Sequence, residues 1–254
     1  MRKNLHCLMK LIVLVSLTIV IVIGIVGVHT YMRCREASAL IQAIENEDQQ
    51  KVEELLQGGA DPNATTLPIS RIWSLFEMSP QCPLSVACGI GNLEIVQLLL
   101  THGATADGVE GTGFSPLEKT LFYFHPNDVK IVSLLLENGA TVEEDAVFQA
   151  AQMFPRVYDK TKENGTVFQD GYDEESAKGI TEIVKMLLNG RSVNSTTSSG
   201  TTLLMWSVKR ENLYLTEYLV AAGSDLSVMD ADGKTAYDYA VDRGFMELAE
   251  ILKP

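Results

Sequence analysis

A degenerate phrase recurs along this chain at intervals of about 33 residues, and it constrains the fold more than any other feature. In one form a Ser or Thr follows a Gly within two residues, as in Gly113–Leu117, Gly200–Leu204 and Gly233–Tyr237. In a second form a Leu-rich run leads into a Gly-Ala dipeptide, as in Leu98–Thr105 and Leu134–Thr141. The first form begins each unit and the second form ends it, and two short helical patterns lie between them. The sequence therefore predicts a row of similar helix pairs.

The residue types in the phrase have local physical roles. Ser or Thr before a helix can cap its free amide groups, and Pro at the next position has the φ angle that a first helical turn needs. Gly after a helix suits the left-handed residue that ends it. A helix pair of this size cannot bury its apolar side alone, so stacked neighbours must supply the core.

The phrase resembles that of the ankyrin repeat, which consists of a turn and two antiparallel helices. Cys82–Cys88 stands where the family has Thr-Pro-Leu-His-x-Ala-Ala, and Gly91–Val96 follows in register. The resemblance implies an all-α ankyrin-repeat solenoid over residues 33–254. Its six units are predicted at about 38–64, 82–107, 115–142, 145–194, 202–227 and 235–254.

The chain departs from the family pattern in two ways. The His that follows Pro-Leu in the family is absent from all six units, so this polar link between units is predicted to be missing and the array to be only modestly stable. Two long insertions, 65–81 and 154–178, also break the spacing, and about three further residues are added around Phe124–Asn127. The first and last units have polar outer positions, which is typical of end caps.

An uncharged, aliphatic segment, Leu11–Met32, follows a short basic tail of residues 1–10. Its 22 residues are enough to cross a bilayer as one transmembrane helix. An uncleaved anchor is favoured over a cleaved signal peptide, because Val26–Tyr31 lacks an Ala-x-Ala-like exit. Basic residues in the tail favour a repeat domain outside the inner or plasma membrane, in the periplasm or at the cell surface. Arg33 and Arg35 favour a cytoplasmic repeat domain, and both orientations stay open.

The repeat region is acidic. Of 20 basic and 33 acidic residues, residues 1–36 hold five and one, which leaves 15 basic and 32 acidic residues and a formal charge of −17. This charge argues against binding to nucleic acid and against docking on anionic lipid. A basic protein partner is compatible with it, but acidity also simply keeps a protein soluble.

No motif for chemistry stands out. The sequence has no His-x-x-x-His, Cys-x-x-Cys or Gly-x-Ser-x-Gly pattern. Asp230–Gly233 looks like part of a calcium loop, but Val228 and Tyr239 occupy positions where an EF-hand needs acidic residues. We therefore predict no catalytic residue, no cofactor, no metal and no small-molecule substrate.

The resemblance implies where a partner binds. Partners of ankyrin repeats engage the turn tips and the exposed end of each first helix, which line a concave face. Carried over by position, with the aromatic residues of the first insertion, the predicted protein-binding residues are Trp73, Phe76, Ile90, Phe122, Tyr123, Phe124, Met153, Lys209 and Arg210. Clustered aromatic and Arg side chains are typical of interface centres. Alternatively, the two insertions fold over the apolar residues and bury them as a local core, and the two basic residues are merely solvated.

The sequence thus predicts a membrane-anchored, non-catalytic ankyrin-repeat protein that binds an unidentified protein. One alternative is an immunity or inhibitor protein that neutralises a toxin at the cell envelope, which a toxin gene directly upstream would favour. Another is a scaffold for an enzyme encoded nearby. An enzyme with its site in the insertion 154–178 is the third and least supported alternative.

Overall fold

The computed structural model describes residues 35–66, 80–158, 166–168 and 174–253, which form six helix pairs. The first helices of the pairs are α1 (35–45), α3 (Pro83–Ile90), α5 (Pro116–Thr120), α7 (Ala146–Gln152), α9 (Leu203–Lys209) and α11 (Ala236–Arg243). The second helices are α2 (Gln49–Gln57), α4 (Leu93–Thr101), α6 (Asp128–Glu137), α8 (Glu174–Leu187), α10 (Leu213–Ala221) and α12 (Met246–Ile251). The predicted stack of helix pairs is confirmed.

Capping side chains fix where the first helices begin. Ser115, Thr202 and Thr235 each accept a hydrogen bond from the amide three residues later, over 3.1, 3.1 and 3.2 Å. Such a cap contributes about 1 kcal/mol to helix stability. At the other end of α3, Gly91 takes a left-handed conformation with φ of 78°. Residues of the recurring phrase therefore determine where the helices begin and end.

Stacking between neighbouring units builds one continuous core. First helices pack on first helices, as α9 does on α7 and α11, and the second helices from α2 to α12 pack in an unbroken row. A single hydrophobic cluster runs from Leu40 to Leu252. Leu84, Ile95 and Leu99 in the second unit are completely buried. Full burial of such a side chain contributes about 1.5–3 kcal/mol, so the units hold one another together.

Polar links also join neighbouring units. Ser85 occupies the position of the family's His, and its hydroxyl donates to the Phe114 carbonyl of the next unit over 3.1 Å. The prediction that this link is missing is therefore wrong for the second unit. In the preceding turn, Asn63 donates to the Gly103 carbonyl and accepts from the Thr105 amide, each over 2.8 Å.

The insertion in the fourth unit and a short strand of the third unit form a small sheet that the sequence does not predict. Strand β1 (Tyr123–Phe124) follows α5, strand β2 (Phe154–Tyr158) follows α7, and the two strands pair in parallel. Strand β3 (Thr166–Phe168) pairs with β2 in the antiparallel direction. The helical solenoid thus carries a three-stranded sheet, and residues 174–178 of the predicted insertion belong to α8.

Some predictions fall on residues outside these ranges. In the parts of the chain that the structure describes, no helix combines the length and apolarity needed to cross a bilayer. The predicted membrane segment 11–32, the basic tail and most of the first insertion lie elsewhere in the chain. The division of the chain into tail, membrane helix and repeat domain therefore stays a prediction.

Candidate binding surface

The first helices present one side to solvent, and equivalent positions on that side are occupied by aromatic and basic residues. Lys119, Trp206 and Tyr239 each lie four residues after the capping residue of α5, α9 and α11, and each is half-buried. Phe122 lies three residues after Lys119, and Lys209 lies three residues after Trp206. We call this side of the array, with the turn that precedes each helix, the first-helix face.

The most exposed aromatic group on the first-helix face is in the third unit. The rings of Phe114 and Phe122 meet edge to face, with centroids 4.8 Å apart. The two residues are 49% and 44% exposed. Lys119 Nζ lies 5.0 Å from the first ring centroid and 5.5 Å from the second. We call these three residues the aromatic clamp, and its exposed apolar surface is of the kind that binding sites use.

A short helix brings the clamp together. Helix α5 has only five residues, so a residue before it and a residue after it can touch across its exposed side. The helix is fixed by a capping box, in which Ser115 caps Glu118 N and the Glu118 carboxylate accepts from Ser115 N over 2.7 Å. This bond engages the Glu118 carboxylate with the backbone at the start of the helix.

A second cluster on the first-helix face is internally neutralised. Lys209 Nζ lies 4.1 Å from the Tyr239 ring, 5.3 Å from the Trp206 ring and 3.7 Å from Asp230 Oδ2. The Tyr239 hydroxyl donates to the same carboxylate oxygen. This hydrogen bond raises the pKa of Tyr239 to about 12 and lowers the pKa of Asp230. The Lys209 side chain is only 18% exposed, so much of it is already engaged within the array.

Two predicted surface residues are buried instead. Phe124 is 4% exposed and Met153 is 1% exposed, so their assignment to a binding surface is wrong. Phe124 belongs to β1, and its ring lies against Gly179 of α8, where a Cβ would come within 2.7 Å of Phe124 Cε2. Met153 directly precedes β2 and ends α7. Phe124 and Met153 therefore belong to the core of the array, and whether the insertions cover the other apolar residues stays a prediction.

The remaining predicted residues differ in how far they are exposed. Phe122 is exposed in the clamp, whereas Ile90 and Tyr123 are half-buried. Arg210 is half-buried with its Cζ 5.7 Å from the Trp206 ring. Trp73 and Phe76 lie outside the described residues.

Sequence reasoning missed four residues of the first-helix face, namely Phe114, Lys119, Trp206 and Tyr239. A signal for them was available. Phe114 is an aromatic residue in a turn that is normally polar, and the other three share one position after the helix cap. The positions that the resemblance implies lie only at the ends of the first helices, and these three residues come before the end.

A buried polar cluster lies beneath the loop between β1 and α6. Asp128 is fully buried; its Oδ2 accepts from His125 N over 2.7 Å and lies 3.2 Å from His125 Nδ1, while Oδ1 has no hydrogen-bond partner among the described residues. Burial raises the pKa of Asp128 and that of the neighbouring Cys88 thiol. A buried thiol with a raised pKa is protonated and inert. Within the described ranges, His, Cys, Asp and Glu are nowhere grouped in threes at metal-binding separations.

The comparison with protein families decides the relationship. A family model described as Ankyrin repeats (3 copies) matches residues 40–146 and 175–254. This chain belongs to the ankyrin repeat family. The unmatched residues between the two regions include β2 and β3, so the insertion sheet is a local addition to an ankyrin array.

Solved structures share the fold. A chain in the structure of the Bd0816 predatory endopeptidase from Bdellovibrio bacteriovorus in complex with immunity protein Bd3460 is similar, with a TM-score of 0.57 and 23% identity. The similarity covers 84% of this chain and 96% of that one. A comparison with curated proteins finds no match. Ankyrin repeats bind protein partners and are typically non-catalytic scaffolds, so the exposed clamp is the surface to test.

Proposed function

We propose that this chain is a non-catalytic ankyrin-repeat protein that binds a protein partner through its first-helix face and is held at a membrane by residues 11–32. The aromatic clamp carries this proposal. Two aromatic rings that are each nearly half exposed lie together, with a lysine over both. Exposed aromatic side chains at the centre of a surface are what protein interfaces use.

Capture of the partner by the full chain tests this proposal. The tagged chain is extracted from its own cells in detergent after mild cross-linking, and captured proteins are quantified by mass spectrometry. We expect the double variant Phe114→Ala/Phe122→Ala to lose at least nine-tenths of the specific partner. The matched control is Tyr214→Ala, because Tyr214 also lies under a lysine, with Lys178 Nζ 4.9 Å from its ring, but on a second helix. Undiminished capture by the double variant, with native circular dichroism, would remove the first-helix face from the interface.

The membrane arrangement has its own test. Two fusion proteins are made, one with alkaline phosphatase and one with a fluorescent protein after Pro254. Phosphatase activity with a dark fluorescent fusion is expected for an array outside the membrane, because the tail carries the basic residues. Fluorescence without phosphatase activity would place the array in the cytoplasm. Recovery of the chain in the soluble fraction would refute the anchor.

An immunity protein is the second candidate function. One observation favours it, namely the shared fold with a chain from a complex between an endopeptidase and an immunity protein. An anchored array outside the membrane would be well placed to neutralise an enzyme that attacks the envelope. The test is co-expression with an envelope hydrolase encoded next to this chain. Protection by the wild type that is lost in Phe114→Ala/Phe122→Ala supports this function, and lysis in both refutes it. If the neighbouring gene instead encodes an unrelated enzyme that co-purifies with the chain, the scaffold alternative is favoured.

A further inference from the structure

The lysines that lie over aromatic rings in this protein differ in one respect. Five such lysines occur among the described residues, and four of them also contact a carboxylate. These four pairs are Lys178 with Glu174, Lys185 with Glu182, Lys209 with Asp230 and Lys234 with Asp242. Lys119 is the fifth, and no carboxylate of the described residues lies within 4.0 Å of its Nζ. The clamp therefore has a cation whose usual second partner is missing.

The helices on either side of the clamp do not supply a compensating charge. Neither α3, with the sequence PLSVACGI, nor α7, with AVFQAAQ, contains a charged residue. Gly89 of α3 lies beside the lysine stem, since a Cβ there would be 3.7 Å from Lys119 Cδ. Glu118 is bound to the Ser115 amide in the capping box. The neighbouring helices α3 and α7 thus leave the positive charge of Lys119 without a contacting carboxylate.

The acidic turns beside the clamp limit the kind of partner segment that can bind there. Glu110, Glu143 and Glu144 are exposed at the turns that flank the clamp, and they would repel a segment with several acidic residues. The exposed rings of Phe114 and Phe122 favour an apolar side chain next to the charge. Both conditions are met by a segment with one acidic residue beside an aromatic or aliphatic residue.

We infer that the aromatic clamp binds a partner segment in which one Asp or Glu side chain pairs with Lys119 while an adjacent apolar side chain covers the rings of Phe114 and Phe122. This inference rests on the proposed function and specifies the chemistry of its partner. Lysine, ring and carboxylate would then form the same three-part arrangement that the other four lysines make within the chain. Exclusion of water by the rings strengthens the ion pair beyond that of a fully exposed pair.

The experiment uses a library of random heptapeptides displayed on phage, with the full chain in detergent micelles as bait. We expect the wild type to enrich peptides with Asp or Glu next to an aromatic or aliphatic residue. Lys119→Gln should lose the acidic preference and keep the apolar one, and Phe114→Ala/Phe122→Ala should lose both. Lys178→Gln is the matched control, because its lysine also lies over a ring but already contacts Glu174. This control should select the same peptides as the wild type.

A selected peptide, synthesised with both ends blocked, then gives the magnitude by fluorescence anisotropy. Replacing its acidic residue with the corresponding amide should weaken binding by about three- to tenfold in the wild type and leave binding to Lys119→Gln unchanged. An acidic preference that survives in Lys119→Gln, or that never emerges in the wild type, overturns the inference. Binding through the first-helix face has a separate criterion, because it is refuted if the double phenylalanine variant still captures the native partner.

Discussion

Replacing Gly179 with Ala tests whether the Phe124 ring is packed beneath α8, the contact that removes this residue from the surface. In the interior of an exposed helix, Gly→Ala stabilises by about 0.8–1 kcal/mol. Here a Cβ would overlap the ring and lie 2.7 Å from Phe124 Cε2. Phe124 is 4% exposed, so the ring has little room to move aside. Overpacking of this kind costs about 1–3 kcal/mol, and we expect a net loss of about 1 kcal/mol.

Gly89 provides a matched control. It also lies within a helix, α3, but the nearest atom to an added Cβ is Lys119 Cδ at 3.7 Å, an ordinary van der Waals contact. Gly89→Ala should therefore stabilise the protein by up to about 1 kcal/mol. The two chemically identical substitutions are expected to have opposite signs and to differ by about 2 kcal/mol.

Urea unfolding of the full chain, followed by circular dichroism and tryptophan fluorescence, measures these changes. Phe124→Leu in the Gly179→Ala background should recover part of the loss, with a coupling energy of about 1 kcal/mol between the two sites. The reasoning would be refuted if Gly179→Ala stabilised the protein as much as Gly89→Ala does, with additive effects in the double variant. In that case the ring would not lie against α8, and Phe124 would return to the candidate surface.

Three further predictions concern stability, each measured by urea midpoints. Burial raises the pKa of Asp128, so the stability it adds is fully present below the ordinary carboxyl pKa of about 3.8 and is lost as pH rises through the raised value. The wild type should therefore gain stability relative to Asp128→Asn as pH falls from 7 towards 4, and a constant difference would contradict this. Asn63→Ala should cost about 1–2 kcal/mol, because it leaves two bonds between turns unmade; a Gln at this position should not restore the loss. Gly91→Ala should cost about 2–4 kcal/mol, since a left-handed backbone and overlap with His125 combine. Gly103→Ala, at φ 90° with open space around it, should cost only about 1–2 kcal/mol, and equal losses would exclude the His125 contact.

The repeat architecture could be predicted because its determinants are local in the sequence. Ser115, Thr202 and Thr235 cap helices where the phrase places them. The same phrase marks Gly91, whose positive φ ends α3. Such signals act over a few residues, so one sequence without relatives is enough to recognise them.

The surface was harder to predict, because it depends on contacts between distant residues. Regular repeats place residues such as Phe124 and Met153 at exposed helix ends, but here both are buried where β1 and β2, some thirty residues apart in the sequence, pair with each other. The sequence alone does not show that Ser85 links the units in place of the family's His, because its hydrogen bond to the Phe114 carbonyl depends on how closely the next unit approaches. The aromatic clamp likewise depends on the unusual shortness of α5.

The parallel pairing of β1 with β2 has a consequence for how the array comes apart. In a plain row of repeats, each unit is held only by its immediate neighbours, and loss of structure spreads inward from either end. Here backbone hydrogen bonds tie the third unit to the fourth in addition to side-chain packing. Fraying from the two termini should therefore stall at this joint, and the middle of the array, which includes the aromatic clamp, should be the last part to melt.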